Sequence, residues 1–142
     1  TGTGLAPFMS IVRDPETYEK FDKIILTHTV RHQKELAYHD MLQNLNNDET
    51  YSEVTKGKFI YFNTVTRDEW PRKGRITKWI EENKLWNEIE VDMFDPKQDR
   101  VMICGSEDMT NELKNMFEKL GSEEGSTKVQ GGFVIEKAFA EK

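Results

Sequence analysis

Residues 23–30 read KIILTHTV. The run is β-branched and apolar almost throughout, as expected of a parallel strand covered on both faces. Downstream, residues 34–45 place Leu36, Met41 and Leu45 near one face at helical spacing, which predicts a helix. The polar, turn-rich residues 46–58 predict a surface connection. KFIYFNTV at 58–65 predicts a second strand and residues 66–74 a loop, while 75–86 bring Ile76, Trp79 and Ile80 together as a helix would. RVMICG at 100–105 predicts a short strand, and 106–121 a helix capped by Ser106 and stopped by Gly121. A loop at 122–132 leads to a last strand-like run at 133–139.

Strand alternating with helix implies an α/β fold: a mainly parallel sheet, helices on both faces, and binding loops at the carboxyl ends of the strands. The loops expected to carry function are residues 1–7, 31–34, 66–75 and 105–109.

The composition sets bounds on partners. A chain of 142 residues with 36% hydrophobic and 32% charged residues is expected to form one soluble globular domain. No apolar stretch is long enough to span a bilayer, and the single cysteine, Cys104, fits a reducing cytoplasm. A net charge of −6 argues against nucleic acid, whose binding draws on a basic face. A small anionic ligand is compatible with it.

Within the first loop, Gly2 and Gly4 permit close backbone approach, and Pro7 suits the first turn of a helix. A helix starting near Leu5 would aim its amide groups and dipole at whatever lies over the loop, favouring a phosphate. A tight turn with no ligand explains the same residues. The spacing differs from G-x-G-x-x-G, because its last position is Pro7. Arg31 follows the first strand, Arg67 the second, and Arg75 closes the same loop, so three planar forks of donors could meet at one sheet edge. Such a cluster suits a phosphate monoester dianion, the 2′-phosphate of NADP being the evident candidate. Cys104 reads as a small buried hydrophobe. His28 and His32 lie at a strand end, where a four-residue spacing does not set them side by side for a metal.

Together, TGTGLAP, THTVR…ELAY, TVTR…GR, MICGS and the ending FVIEKAFAEK closely resemble the carboxyl-terminal NADP-binding half of bacterial ferredoxin (flavodoxin)–NADP reductases, over essentially all 142 residues. The resemblance implies a Rossmann-like parallel sheet and a flavoprotein oxidoreductase moving electrons between NADPH and ferredoxin or flavodoxin through FAD. It implies that Thr1, Gly2, Thr3, Gly4, Leu5 and Pro7 hold the pyrophosphate and the ribose nearest the nicotinamide. Arg31, Arg67 and Arg75 would grip the 2′-phosphate. Cys104 would lie close to hydride transfer, with Gly105 and Ser106 beside the nicotinamide. Glu136 would help arrange nicotinamide and flavin, Phe139 would pack against FAD, and Ala138 stands where plant-type members carry a stacking tyrosine.

The departure from the family lies upstream, where an FAD-binding β-barrel domain and a strand entering the TGTG loop are expected. Residues 1–142 are therefore expected to be the NADP-binding domain of a longer reductase, inactive alone. In the family's order the missing strand is central, so two inner edges would lie unpaired unless a neighbouring copy, a swapped element or another chain fills the gap. Rival readings are an NAD(P)H-binding reductase component of an oxygenase, a non-catalytic NADP-binding module, and a scaffold binding no nucleotide.

Overall fold

The computed structural model describes residues 5–125 and 131–135. Helices α1 (Ala6–Arg13) and α2 (Pro15–Lys20) lead into strand β1 (Ile24–Val30). Short helices α3 (His39–Gln43) and α4 (Ser52–Thr55) follow, then β2 (Phe59–Val65), α5 (Ile76–Glu81), α6 (Lys84–Glu88), β3 (Val101–Ile103), α7 (Glu107–Lys119) and β4 (Phe133–Ile135). The strand–helix alternation is the α/β pattern expected.

β1 and β2 pair in parallel over their whole length, Ile24 opposite Phe59 and Val30 opposite Val65. β3 and β4 form a second parallel pair, Val101 opposite Phe133. Because side chains alternate faces along a strand, Leu26 and Phe59 pack with Leu5, Met9, Leu42 and Leu45 in one apolar cluster. Phe62 faces the other way and joins Ile76, Ile80, Leu85, Phe117 and Phe133 in a second. Both faces of the β1–β2 pair are therefore covered, which is why its sequence reads as apolar without strict alternation. The polar exceptions are matched: the Thr29 and Thr64 hydroxyls, both buried, lie 2.7 Å apart in a hydrogen bond across the strands.

Among the described residues no strand lies between β1 and β3. A slot of about 700 Å³ separates them, lined by Ile25 and Thr27 of β1, Val101 and Met102 of β3, Phe8 of α1 and Phe117 of α7. Among the described residues, its strand walls have no backbone partner across it. The amide of Ile24 donates to the Lys58 carbonyl, so the even-numbered residues of β1 bond to β2, while Ile25, Thr27 and Thr29 present their backbone groups to the slot. Likewise Val101 donates to Gly132, and Met102, 40% exposed, faces the slot. Hydrogen exchange followed by NMR is expected to show the amides of Thr27 and Met102 exchanging at least about tenfold faster than those of Leu26 and His28, which sit inside the ladder. Equal protection would mean that both edges are already paired.

Two predicted helices are broken by left-handed residues. In 34–45 a 3₁₀ turn at Gln33–Glu35 ends before Tyr38 at φ 61°, and α3 begins only at His39. In 75–86, Asn83 at φ 59° divides α5 from α6; asparagine tolerates that region better than most residues. The surface connection 46–58 contains α4, nucleated where the Asp48 carboxylate accepts from the Thr50 and Tyr51 amides at 2.8 and 3.2 Å. Four helical residues are too few to leave a periodic signal. The run at 133–139 is strand over Phe133–Ile135, its remainder lying outside the described residues.

Candidate functional site

The carboxyl ends of β1 and β2 carry two of the predicted arginines side by side. Beyond the last ladder pair, Thr66 donates to the Val30 carbonyl at 3.0 Å and Arg67 to the Arg31 carbonyl at 2.8 Å. The two backbones thus stay joined one residue past each strand, with Arg31 and Arg67 both exposed. The chain has six arginines, and their partners separate them. Arg13 donates to the Met9 carbonyl, Arg72 pairs with Glu88, Arg75 pairs with Glu112 of α7, and Arg100 donates to main-chain carbonyls. Among the described residues neither the Arg31 nor the Arg67 guanidinium has a carboxylate partner. Such a pair offers an incoming anion two planar donor forks, which match phosphate oxygens.

Arg75 reaches the same sheet end by a different route. The 66–74 loop folds back on β2: Val65 donates to the Arg72 carbonyl at 3.1 Å and Gly74 to the Val65 carbonyl at 3.2 Å. The turn closes through Gly74 at φ 110°, a conformation glycine adopts without a side-chain clash. Trp70 anchors the loop, its indole N–H donating to Asn63 Oδ1 at 2.7 Å. Arg75 is exposed and already engaged by Glu112, so an incoming phosphate would compete with a carboxylate for it.

Asp68 and His32 were not singled out for the ligand site by sequence. Asp68 accepts from His32 Nδ1 at 3.0 Å and from the Gln33 amide at 2.8 Å, and these hydrogen bonds hold its carboxyl below the usual range. Nothing in the local pattern marks Asp68, since an acid beside an arginine usually reads as surface charge. Among the described residues no group of side chains is arranged to hold a metal.

The helix N-termini at the strand ends differ in electrostatics. α7 is closed: the Ser106 hydroxyl accepts from the Met109 amide at 3.3 Å, and Glu107 and Asp108 fill the first turn. α1 has no side-chain cap at Leu5, proline in its first turn as expected from Pro7, and no acidic residue there. Among the described residues no side chain closes its amide groups, and the helix dipole there favours negative charge. Leu5 is buried, and with Phe8, Thr27, Thr29 and Cys104 it lines a cavity of about 40 Å³. The structure therefore brings Leu5 and Cys104 together between β1 and β3, with Cys104 buried at the end of β3 and the half-buried Gly105 next to it. Thr1, Gly2, Thr3, Gly4, Glu136, Ala138 and Phe139 lie outside the described residues.

A buried polar group lies deeper beneath the arginines. His28, 1% exposed, has Nδ1 3.2 Å from the Tyr61 hydroxyl, and burial pushes that hydroxyl up to about 12. It stays protonated at neutral pH, so this contact braces the strand pair rather than adding charge to the site.

Known proteins of similar sequence and structure share this arrangement's fold. The family model described as oxidoreductase NAD-binding domain matches residues 1–115. The chain is 42% identical over 141 residues to a ferredoxin–NADP reductase A of Sorangium cellulosum, covering 99% of this chain and 51% of that protein. It is 42% identical over 144 residues to a ferredoxin–NADP reductase of Azotobacter vinelandii, covering 100% of this chain and 56% of that one. A crystal structure of a ferredoxin NADP+ reductase from Neisseria gonorrhoeae with bound FAD and NADP superposes with a TM-score of 0.83 at 26% identity, over 97% of this chain and 53% of the other. The chain spans about half the length of these relatives. With a family model covering most of its length, the chain belongs to the oxidoreductase NAD-binding domain family.

Proposed function

We propose that the chain is the NADP(H)-binding half of a flavoprotein oxidoreductase that passes electrons between NADPH and ferredoxin or flavodoxin through FAD, working in the cytoplasm. The observation that carries the NADP reading is the side-by-side pair Arg31 and Arg67 at the ends of two parallel strands, neither guanidinium having a carboxylate partner among the described residues. A 2′-phosphate supplies the counter-charge that this pair lacks. NAD, with a hydroxyl there, does not.

The uncapped amino end of α1 would meet the pyrophosphate, with residues 1–7 completing its cradle. Cys104, beside Gly105 and against Leu5, would border the nicotinamide, where a small side chain lets a flat ring approach. NADP(H) when bound supplies or accepts the hydride, and the chain's own residues bind and orient it; proximity of the reacting groups contributes much of such rates. Arg75, Ser106, Glu136, Ala138 and Phe139 keep the roles that the resemblance implies: a third phosphate ligand, the nicotinamide loop, and the nicotinamide–flavin contact. No helix among the described residues is long and apolar enough to cross a membrane.

The domain reading belongs to the same proposal: residues 1–142 are one domain of a longer reductase, with an FAD-binding β-barrel in the other half. Two features support it. The relatives are nearly twice as long, and the slot between β1 and β3 has the shape and exposed backbone that one more parallel strand would fill.

Calorimetric titration of the chain with 2′-phospho-AMP and with AMP tests the nucleotide reading. A preference of about 100-fold for the phosphorylated ligand is expected, from charge-assisted hydrogen bonds of about 1.5–3 kcal/mol each. Equal affinity for the two ligands, in a chain folded by circular dichroism, would overturn it.

A further inference from the structure

We propose that Asp68 is a positioning residue for the 2′-phosphate subsite, its carboxylate tying the loop that carries Arg31 to the loop that carries Arg67. The inference rests on the NADP reading above and adds a residue to it. Arg31 and Arg67 are joined to one another by a single backbone hydrogen bond past the strand ends, and both side chains are exposed. A side-chain contact between the two loops would fix their spacing further. Asp68 follows Arg67 directly, and both of its oxygens cross to the opposite loop: Oδ1 to His32 Nδ1 at 3.0 Å and Oδ2 to the Gln33 amide at 2.8 Å. His32 in turn follows Arg31 directly.

The receiving loop is itself closed. Glu35 Oε1 accepts from the His32 amide at 2.9 Å, and the Glu35 amide donates to the His32 carbonyl at 2.9 Å. Asp68 therefore grips a preformed turn rather than a loose segment. The arrangement has a second effect. As a carboxylate adjoining Arg67 in sequence, Asp68 is positioned to compete with a phosphate for that guanidinium. With its oxygens committed to His32 and Gln33, it leaves Arg67 open, in contrast to Glu112, which occupies Arg75, and Glu88, which occupies Arg72. One acid thus sets the spacing of the arginine pair without filling it.

The test is a double-mutant cycle read by calorimetry with 2′-phospho-AMP and AMP on the chain, Asp68→Ala and Arg67→Ala being made singly and together. Asp68→Ala is expected to weaken 2′-phospho-AMP by about tenfold, to leave AMP within about twofold, and to add almost nothing once Arg67 is gone, because residues acting through one another are not additive. A general loss of structure would weaken both ligands alike. The proposal is overturned if Asp68→Ala keeps the selectivity that Arg67→Ala loses, or if the two losses multiply independently. Should Asp68→Ala unfold the chain, His32→Ala removes one of the clamp's two bonds and leaves the other, so a smaller loss is expected, about threefold for 2′-phospho-AMP with AMP unchanged, and unchanged selectivity overturns the proposal. If Arg67→Ala binds 2′-phospho-AMP as the parent does, the NADP reading fails and takes the clamp with it; that outcome differs from one in which Arg67 matters and Asp68 does not.

Discussion

Replacing Arg31 and Arg67 together by alanine is expected to weaken 2′-phospho-AMP by about 100-fold or more while AMP changes by less than about threefold. Each guanidinium can offer charge-assisted hydrogen bonds of about 1.5–3 kcal/mol to a phosphate, and 1.4 kcal/mol is a factor of ten. The selectivity follows from where the charge lies: AMP lacks the 2′-phosphate, and its 5′-phosphate would seek the amides at the start of α1. Neither arginine belongs to the apolar clusters and both are exposed, so the melting temperature should stay near that of the parent. Arg75→Ala should cost less, because the phosphate's gain there is offset by the loss of the Arg75–Glu112 pair. Isothermal calorimetry checks each value, and a double variant that still distinguishes the two ligands would remove the arginine pair from the site.

Truncating Phe62 to alanine is expected to lower stability by about 3–5 kcal/mol, the range for a large aromatic removed from a packed interior. Phe62 is fully buried. Its ring meets Trp79 edge-on with centroids 5.0 Å apart, and the Arg72 guanidinium lies 4.8 Å from its centroid. The residue joins β2 to α5 and α6 through Ile76, Ile80 and Leu85, so its loss frees the layer from which the 66–74 loop springs. For a domain whose total stability is about 5–15 kcal/mol, such a loss consumes much of the margin. Urea unfolding followed by tryptophan fluorescence measures it. A shift below about 1 kcal/mol would mean that this face of the sheet is not packed as described.

The slot between β1 and β3 connects fold to stability in another way. A parallel strand with one edge in water keeps its backbone groups hydrated, at no burial penalty, but forgoes the cooperative ladder that an inner strand normally has. Ile25 and Met102, apolar residues on that slot, are correspondingly less covered than Leu26 and Phe62. Among the described residues no strand covers that side, and the two residues lie on the strands that bring Thr27 and Cys104 to the 40 Å³ cavity.

Much of this protein is set by local sequence. The run 23–30 and the run 58–65 become β1 and β2 because both faces of a parallel pair demand apolar residues, a requirement written along the chain itself. α7 takes its cap from Ser106, and Gly121 at φ 96° ends it, since capping depends on a side chain and the backbone within a few residues of it. The position of Arg31 and Arg67 after those strands follows from the same pattern. What the three-dimensional structure alone decides is which charges remain available. Arg75 is taken by Glu112, 37 residues away, and Asp68 is held by His32 and Gln33, 36 and 35 residues away. Such pairings carry no periodic or local signature: an ion pair between distant loops depends on how strands and helices pack, and only the packed chain brings its two charges within a hydrogen bond of one another.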